Sequence, residues 1–250
     1  MRRRQAQLLV GLGPLVAAAT MLCLSPAARA DNKYLEVPPK SEVHASRAYR
    51  YANLSDAEAQ AELDARAIPY EPATPPLPGV RLPIRLTGPL QGVTIHSALP
   101  AEQRKDSPFE ILDARLALVL DDFCLILAQH DVVELVHFTM YRPPTKTPKD
   151  RNGPQTRHPG GLAIDLGAVR KRNGQWLAVG PHWPPQLGAQ TCGPGARKLR
   201  SPKGRELVSI VCEAADQRIF HYMLTPHFDA PHADHLHLEI KPGVEWFLVN

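Results

Sequence analysis

Two stretches of the chain alternate polar and apolar residues with a period of two. In His235-Leu236-His237-Leu238-Glu239-Ile240, a strand sends His235, His237 and Glu239 to one face and the aliphatic residues to the other. Leu162, Ile164 and Leu166 alternate in the same way with Ala163, Asp165 and Gly167, so a second strand carries Asp165 on its polar side. Pro159-Gly160-Gly161 just before it reads as a bend that returns His158 towards Asp165. A period near 3.6 governs Phe109, Leu112, Leu116, Val119, Leu120, Phe123 and Leu127. With Ser107 as cap, Pro108 at the first position and Glu110 three after the cap, it predicts a helix over residues 107–129 that packs one face on a sheet. A second helix is expected over 206–218, with Leu207, Val211 and Ala215 on one stripe. Further strands are expected over 132–142 and 219–224, and a hairpin over 169–179 about Asn173-Gly174. These elements predict an α+β fold: a single domain with a mainly antiparallel central sheet, flanked by two main helices.

The first hundred residues follow other patterns. Residues 1–30 open with Arg2-Arg3-Arg4, run apolar from Leu8 to Leu24 and end Ala28-Arg29-Ala30, the three parts of a secretory signal cleaved after Ala30. Gly11, Gly13 and Pro14 interrupt a run that is short for a membrane span, and Met21-Leu22 before Cys23 lack the small residues of a lipid-attachment site. The expected location is periplasmic or secreted, with no membrane partner after cleavage. Residues 31–100 hold Pro38, Pro39, Pro69, Pro72, Pro75, Pro76, Pro78 and Pro83 and favour an extended, partly ordered arm. Within it, Ser55 and Glu58 form a capping box for a short helix through Ala65. Val80-Arg81-Leu82 and Val93-Thr94-Ile95-His96 are candidate strands that would join the main sheet and make the arm wrap the domain of residues 101–250. Residues 145–157 and 183–204 read as surface loops.

Cleavage changes the charge. Of 29 lysines and arginines the signal segment holds four and no acid, leaving 25 basic against 25 acidic residues. A neutral mature chain gives no support for nucleic acid as a partner. Three cysteines remain, Cys124, Cys192 and Cys212, enough for one disulfide and one thiol. Cys192 with Cys212 would tie a loop to a helix; Cys124 with Cys212 is nearly as good a pairing. Their scattered spacing does not suit a cysteine zinc site.

Imidazoles and carboxylates are usual zinc ligands, and a catalytic zinc site needs three of them and an open position. His158, Asp165 and a histidine of the 235–237 strand form such a set. His44, His96, His130, His137, His182, His221 and His227 read as incidental, and Asp234 as a surface residue. The order Thr156-x-His158-x-x-Gly161-x-Ala163-x-Asp165, then His235-x-His237, resembles the zinc signature of the peptidases that include D-Ala-D-Ala carboxypeptidases, the penicillin-insensitive murein endopeptidase and the Hedgehog signalling domain. Tyr141-Arg142-Pro143, the 158–165 segment and His232-Ala233-Asp234-His235-Leu236-His237-Leu238-Glu239 together resemble the extensin-like C-terminal domain family over roughly residues 107–242.

The resemblance implies a Zn2+ cofactor on His158, Asp165 and His237, with Thr156 in place of the usual serine. It places His235 beside the metal and Arg142 as a cation that meets the substrate or the developing oxyanion. His232 stands where carboxypeptidases have a glutamate, as in the murein endopeptidase, and is the candidate general base. Asp229 and Glu239 compete for that role, and Glu239 on the strand face of His237 is alternatively a group that orients the ligand imidazole. The implied activity is zinc-dependent hydrolysis of amide bonds in peptidoglycan peptides by a monomer. The alternative is a zinc-stabilised module that binds wall peptides without cutting them.

Overall fold

A computed structural model describes residues 33, 34, 36–144 and 155–250; the signal segment and residues 145–154 of the polar loop lie outside them. Three helices come first: α1 (Lys40–Ala45), α2 (Arg47–Ala52) and α3 (Asp56–Ala65). At α3 the expected capping box is formed, Ser55 Oγ accepting from Glu58 N at 3.2 Å and Glu58 Oε2 accepting from Ser55 N at 2.8 Å. After β1 (Tyr70–Pro72), β2 (Pro83–Leu86), β3 (Thr94–Ser97) and the single-turn α4 (Ala101–Arg104) the chain reaches the segment read as one long helix.

That helix is divided. Ser107 caps only a 3-10 turn, Pro108–Glu110, followed by β4 (Ile111–Asp113) and then α5 (Ala114–Gln129), whose cap is Asp113. Strand pairing overrides the local start signal: β2 holds Ile111, Leu112 and Asp113 in antiparallel register. Glu110, needed for a capping box, instead accepts from Ser97 N at 2.9 Å. β1, β2 and β4 form a small antiparallel sheet, so the first candidate arm strand, shifted to residues 83–86, does not join the main one.

The main sheet adds β5 (Val132–His137), β6 (Ala163–Lys171), β7 (Trp176–Ala178), β8 (Tyr222–Leu224), β9 (Leu236–Glu239) and β10 (Leu248–Val249). Its order is β10-β8-β9-β6-β5-β3, with β7 also paired to β6 as the expected hairpin. All pairings are antiparallel except β3 with β5 and β8 with β10. The class is α+β, and the sheet is mixed at its two ends.

Ile164, Leu166, Leu236 and Leu238 are buried with α5 and with α7 (Pro202–Asp216), which follows the single-turn α6 (Val179–His182). α7 starts ahead of the expected 206, at a Ser201 cap that accepts from Gly204 N at 3.3 Å. Cys192 and Cys212 form a disulfide between the preceding loop and α7, and Cys124 is a buried thiol. The arm is not extended: α2 and α3 pack on α5. Among the described residues no helix is long and apolar enough to cross a membrane.

Candidate metal centre

The register of β6 and β9 sets Asp165 directly opposite His237, both on the face away from the α5 side. On its other edge the Asp165 backbone is held by the chain leaving β5, with Phe138 N donating to Asp165 O at 2.8 Å and Asp165 N to Thr139 O at 3.0 Å. His158 arrives on a 3-10 turn, His158–Gly160, closed by Gly161 at φ +63°. A Cβ on Gly161 would stand 2.7 Å from Asp113 N, and one on Gly160 2.1 Å from Gln155 O, so the turn can lie against the β4–α5 junction only with glycine at both places.

Three donor atoms converge. His158 Nε2 lies 3.0 Å from Asp165 Oδ1 and 3.2 Å from His237 Nδ1, and the last two are 3.0 Å apart. Ligands about 2.0–2.1 Å from a tetrahedral ion stand about 3.3 Å from one another, so the buried group has nearly the spacing of one face of a metal's coordination shell. His158 Nδ1 faces Met140 O at 3.3 Å and His237 Nε2 faces Glu239 Oε2 at 3.1 Å. Each outer nitrogen faces an acceptor for its proton, so each inner one, which otherwise donates to Asp165, can turn its lone pair to a metal ion. These residues can hold a metal ion.

Burial would raise the Asp165 carboxyl, but the bonds from His158 and His237 prevail and hold it well below the usual carboxylate range. Burial lowers His158, whereas for His237 the bonds to Asp165 and Glu239 outweigh burial and raise it.

The other three expected site residues surround this group. His235 Nε2 is 3.5 Å from Asp165 Oδ1, beside the triad and not part of it. The His232 ring lies tilted to that of His235 at 5.2 Å between centres and edge-on to that of His237 at 5.8 Å, and its Nδ1 is 2.5 Å from Asp229 Oδ1. Arg142 is half exposed and donates through Nη2 to Asp165 Oδ2 at 2.9 Å, so it also fixes a ligand. Asp234 lies on the surface and accepts from His235 Nδ1 at 2.9 Å.

The family model described as "Extensin-like protein C-terminus" matches residues 119–247. The chain belongs to this family. The matched segment contains all six site residues and begins within α5, later than the resemblance read from residue 107. Neither a comparison with curated proteins nor one with solved structures returned a match.

Two aromatic residues of this extensin-like domain escaped the sequence reading. Phe138, 41 % exposed, meets the His235 ring at 5.7 Å, and Phe228, 38 % exposed, meets His232 at 5.6 Å. The Phe138 ring occupies the space over Gly167, where a Cβ would stand 2.8 Å from Cε1. Glycine within a β-strand signals such a close approach, and this one marked the site. Of the histidines read as incidental, His44, His96 and His130 face glutamates, His182, His221 and His227 take backbone N–H groups, and His137 is buried 3.5 Å from Glu110.

Proposed function

We propose that this extensin-like protein is an exported zinc peptidase that hydrolyses amide bonds in peptidoglycan stem or cross-link peptides. The reading rests above all on the triangle of His158, Asp165 and His237 with a separate imidazole, His232, beside it and outside the ligand set. Two imidazoles and one carboxylate suit zinc, which when bound supplies Lewis-acid polarisation and a water of pKa near 7. His232 donates a hydrogen bond from Nδ1–H to Asp229, which leaves Nε2 as the base that takes a proton from water and passes it to the leaving amine. In this reading Asp229 orients His232 and Glu239 orients His237, which supports His232 over either carboxylate as the base. His235, whose Nδ1–H goes to Asp234, offers Nε2 as a hydrogen-bond acceptor to the attacking water, and Arg142 supplies positive charge at the developing oxyanion while keeping its bond to Asp165. The wall substrate comes from the resemblance to murein peptidases, the export from residues 1–30, and the neutral mature chain gives no support for nucleic acid as a partner.

The test pairs metal analysis with digestion of a muropeptide pool. Mature protein is expected to carry one zinc per chain and to release cleaved muropeptides. His232→Ala should retain zinc and lose turnover by about 10^2–10^4-fold. Zinc without turnover on any muropeptide would make the domain a binding module, and a chain that takes no metal would end the proposal.

A further inference from the structure

The residue just before the ligand His158 has no part in the scheme above. Arg157 has φ +57° and ψ −147°, a region that glycine enters freely and an L side chain only with strain. Its carbonyl holds it there, accepting from Leu162 N at 2.9 Å and Gly160 N at 3.1 Å. Packing does not explain the choice of arginine, because the side chain is 62 % exposed.

The guanidinium instead reaches the carboxylate that stands behind the ligand His237. Its one polar contact among the described residues is Nε at 3.5 Å from Glu239 Oε2, which leaves both Nη groups free. Glu239 is 1 % exposed, and its Oε1 has no hydrogen-bond partner among the described residues, while Oε2 accepts a hydrogen bond from His237 Nε2. Tyr222 lies close enough for the Arg157 charge to act on its phenol, and its ring meets that of the half-exposed Trp246 at 4.9 Å. A solvent-facing fork of N–H donors on a backbone held one residue from a metal ligand, with aromatic rings beside it, matches a planar anion.

We propose that Arg157 is a substrate-binding residue that takes a carboxylate of the peptide through its two Nη groups. A free α-carboxylate and an acidic side chain share this chemistry, and the test separates them. The proposal rests on the peptidase reading for the identity of the substrate, though its test reads binding alone.

Binding is measured by calorimetry to zinc-loaded protein carrying His232→Ala, so that no cleavage intervenes. The probes are an acetylated tripeptide ending in D-alanyl-D-alanine as the free acid, the same peptide as its C-terminal amide, and an amide with glutamate as its first residue. The free acid is expected to bind about 10–100-fold more tightly than the amide. Arg157→Gly should abolish that preference and Arg157→Lys keep part of it. Arg157→Gly should also hold its zinc and melt no lower than the parent, because glycine adopts this backbone without strain. A gain from the glutamate side chain equal to that from the α-carboxylate upholds the proposal with a side-chain acid as ligand. An undiminished preference in Arg157→Gly, a preference for neither acid, or loss of zinc in Arg157→Gly would each overturn it, the last by making Arg157 a support of the Glu239–His237 pair. Absence of muropeptide cleavage would count against the peptidase and leave this binding difference standing.

Discussion

His237 can offer Nδ1 to the triangle because Glu239 Oε2 holds the proton on Nε2 at 3.1 Å, and His232 is fixed by Asp229 in the same manner. Carboxylates behind the imidazoles thus decide which nitrogen each presents. Replacing Glu239 by glutamine keeps an acceptor but removes the charge, and is expected to lower zinc affinity about 10-fold, read by competition with a chromogenic chelator. The residues that bear chemistry were legible because the pleat has a period of two: once His237 is on one face, Glu239 must share it. Phe138, Phe228 and Arg157 were not, since an exposed ring or a strained φ leaves no periodic trace.

Elements depend on partners as well as on their own sequence. The Ser107 signal was chemically sound, yet β2 took Ile111–Asp113 as a strand and α5 began at Ala114, capped by Asp113. At the sheet edge the last residues dock through His221: its Nδ1 accepts from Lys241 N at 3.1 Å, its carbonyl accepts from Leu248 N at 2.8 Å, and its ring stacks on Phe247 at 5.6 Å. Burial pushes His221 down from 6.5 to about 4. The unfolded chain therefore binds the extra proton between these values, so the stability His221 gives is complete above pH 6.5 and lost as pH falls towards 4. The loss is about 3 kcal/mol at full protonation. Denaturant titrations at pH 7 and pH 4 are expected to show a smaller drop for His221→Gln than for the parent.

Across the whole molecule, the α5 sequence is apolar on nearly every side, and residues 116–120 are all fully buried. A helix of that kind needs cover all round. The sheet and α7 provide part, and the arm helices the rest, locked by polar contacts to two acids of α5. Arg66 Nη1 reaches Asp122 Oδ1 at 3.0 Å and Asp121 Oδ2 at 3.3 Å, Tyr51 Oη donates to Asp122 Oδ2 at 2.9 Å, and Gln91 Nε2 to Asp121 Oδ1 at 2.8 Å. Arg66→Ala would leave nearly buried Asp121 without a cation and Asp122 with Arg47 alone, and is expected to cost about 2 kcal/mol of stability by denaturant titration while leaving zinc content unchanged.

The sequence by itself determined the α+β class, the strand faces that bear Asp165 and His237, the glycine bend before β6 and the order of the ligand residues, because each follows from local periodicity or turn chemistry. Only the tertiary structure decided that the proline-rich arm folds onto α5, that β4 interrupts a well-capped helix, and which atoms of His158, Asp165 and His237 meet. Those outcomes depend on contacts between segments far apart in the chain, and pairing across such distances is set by the packed core.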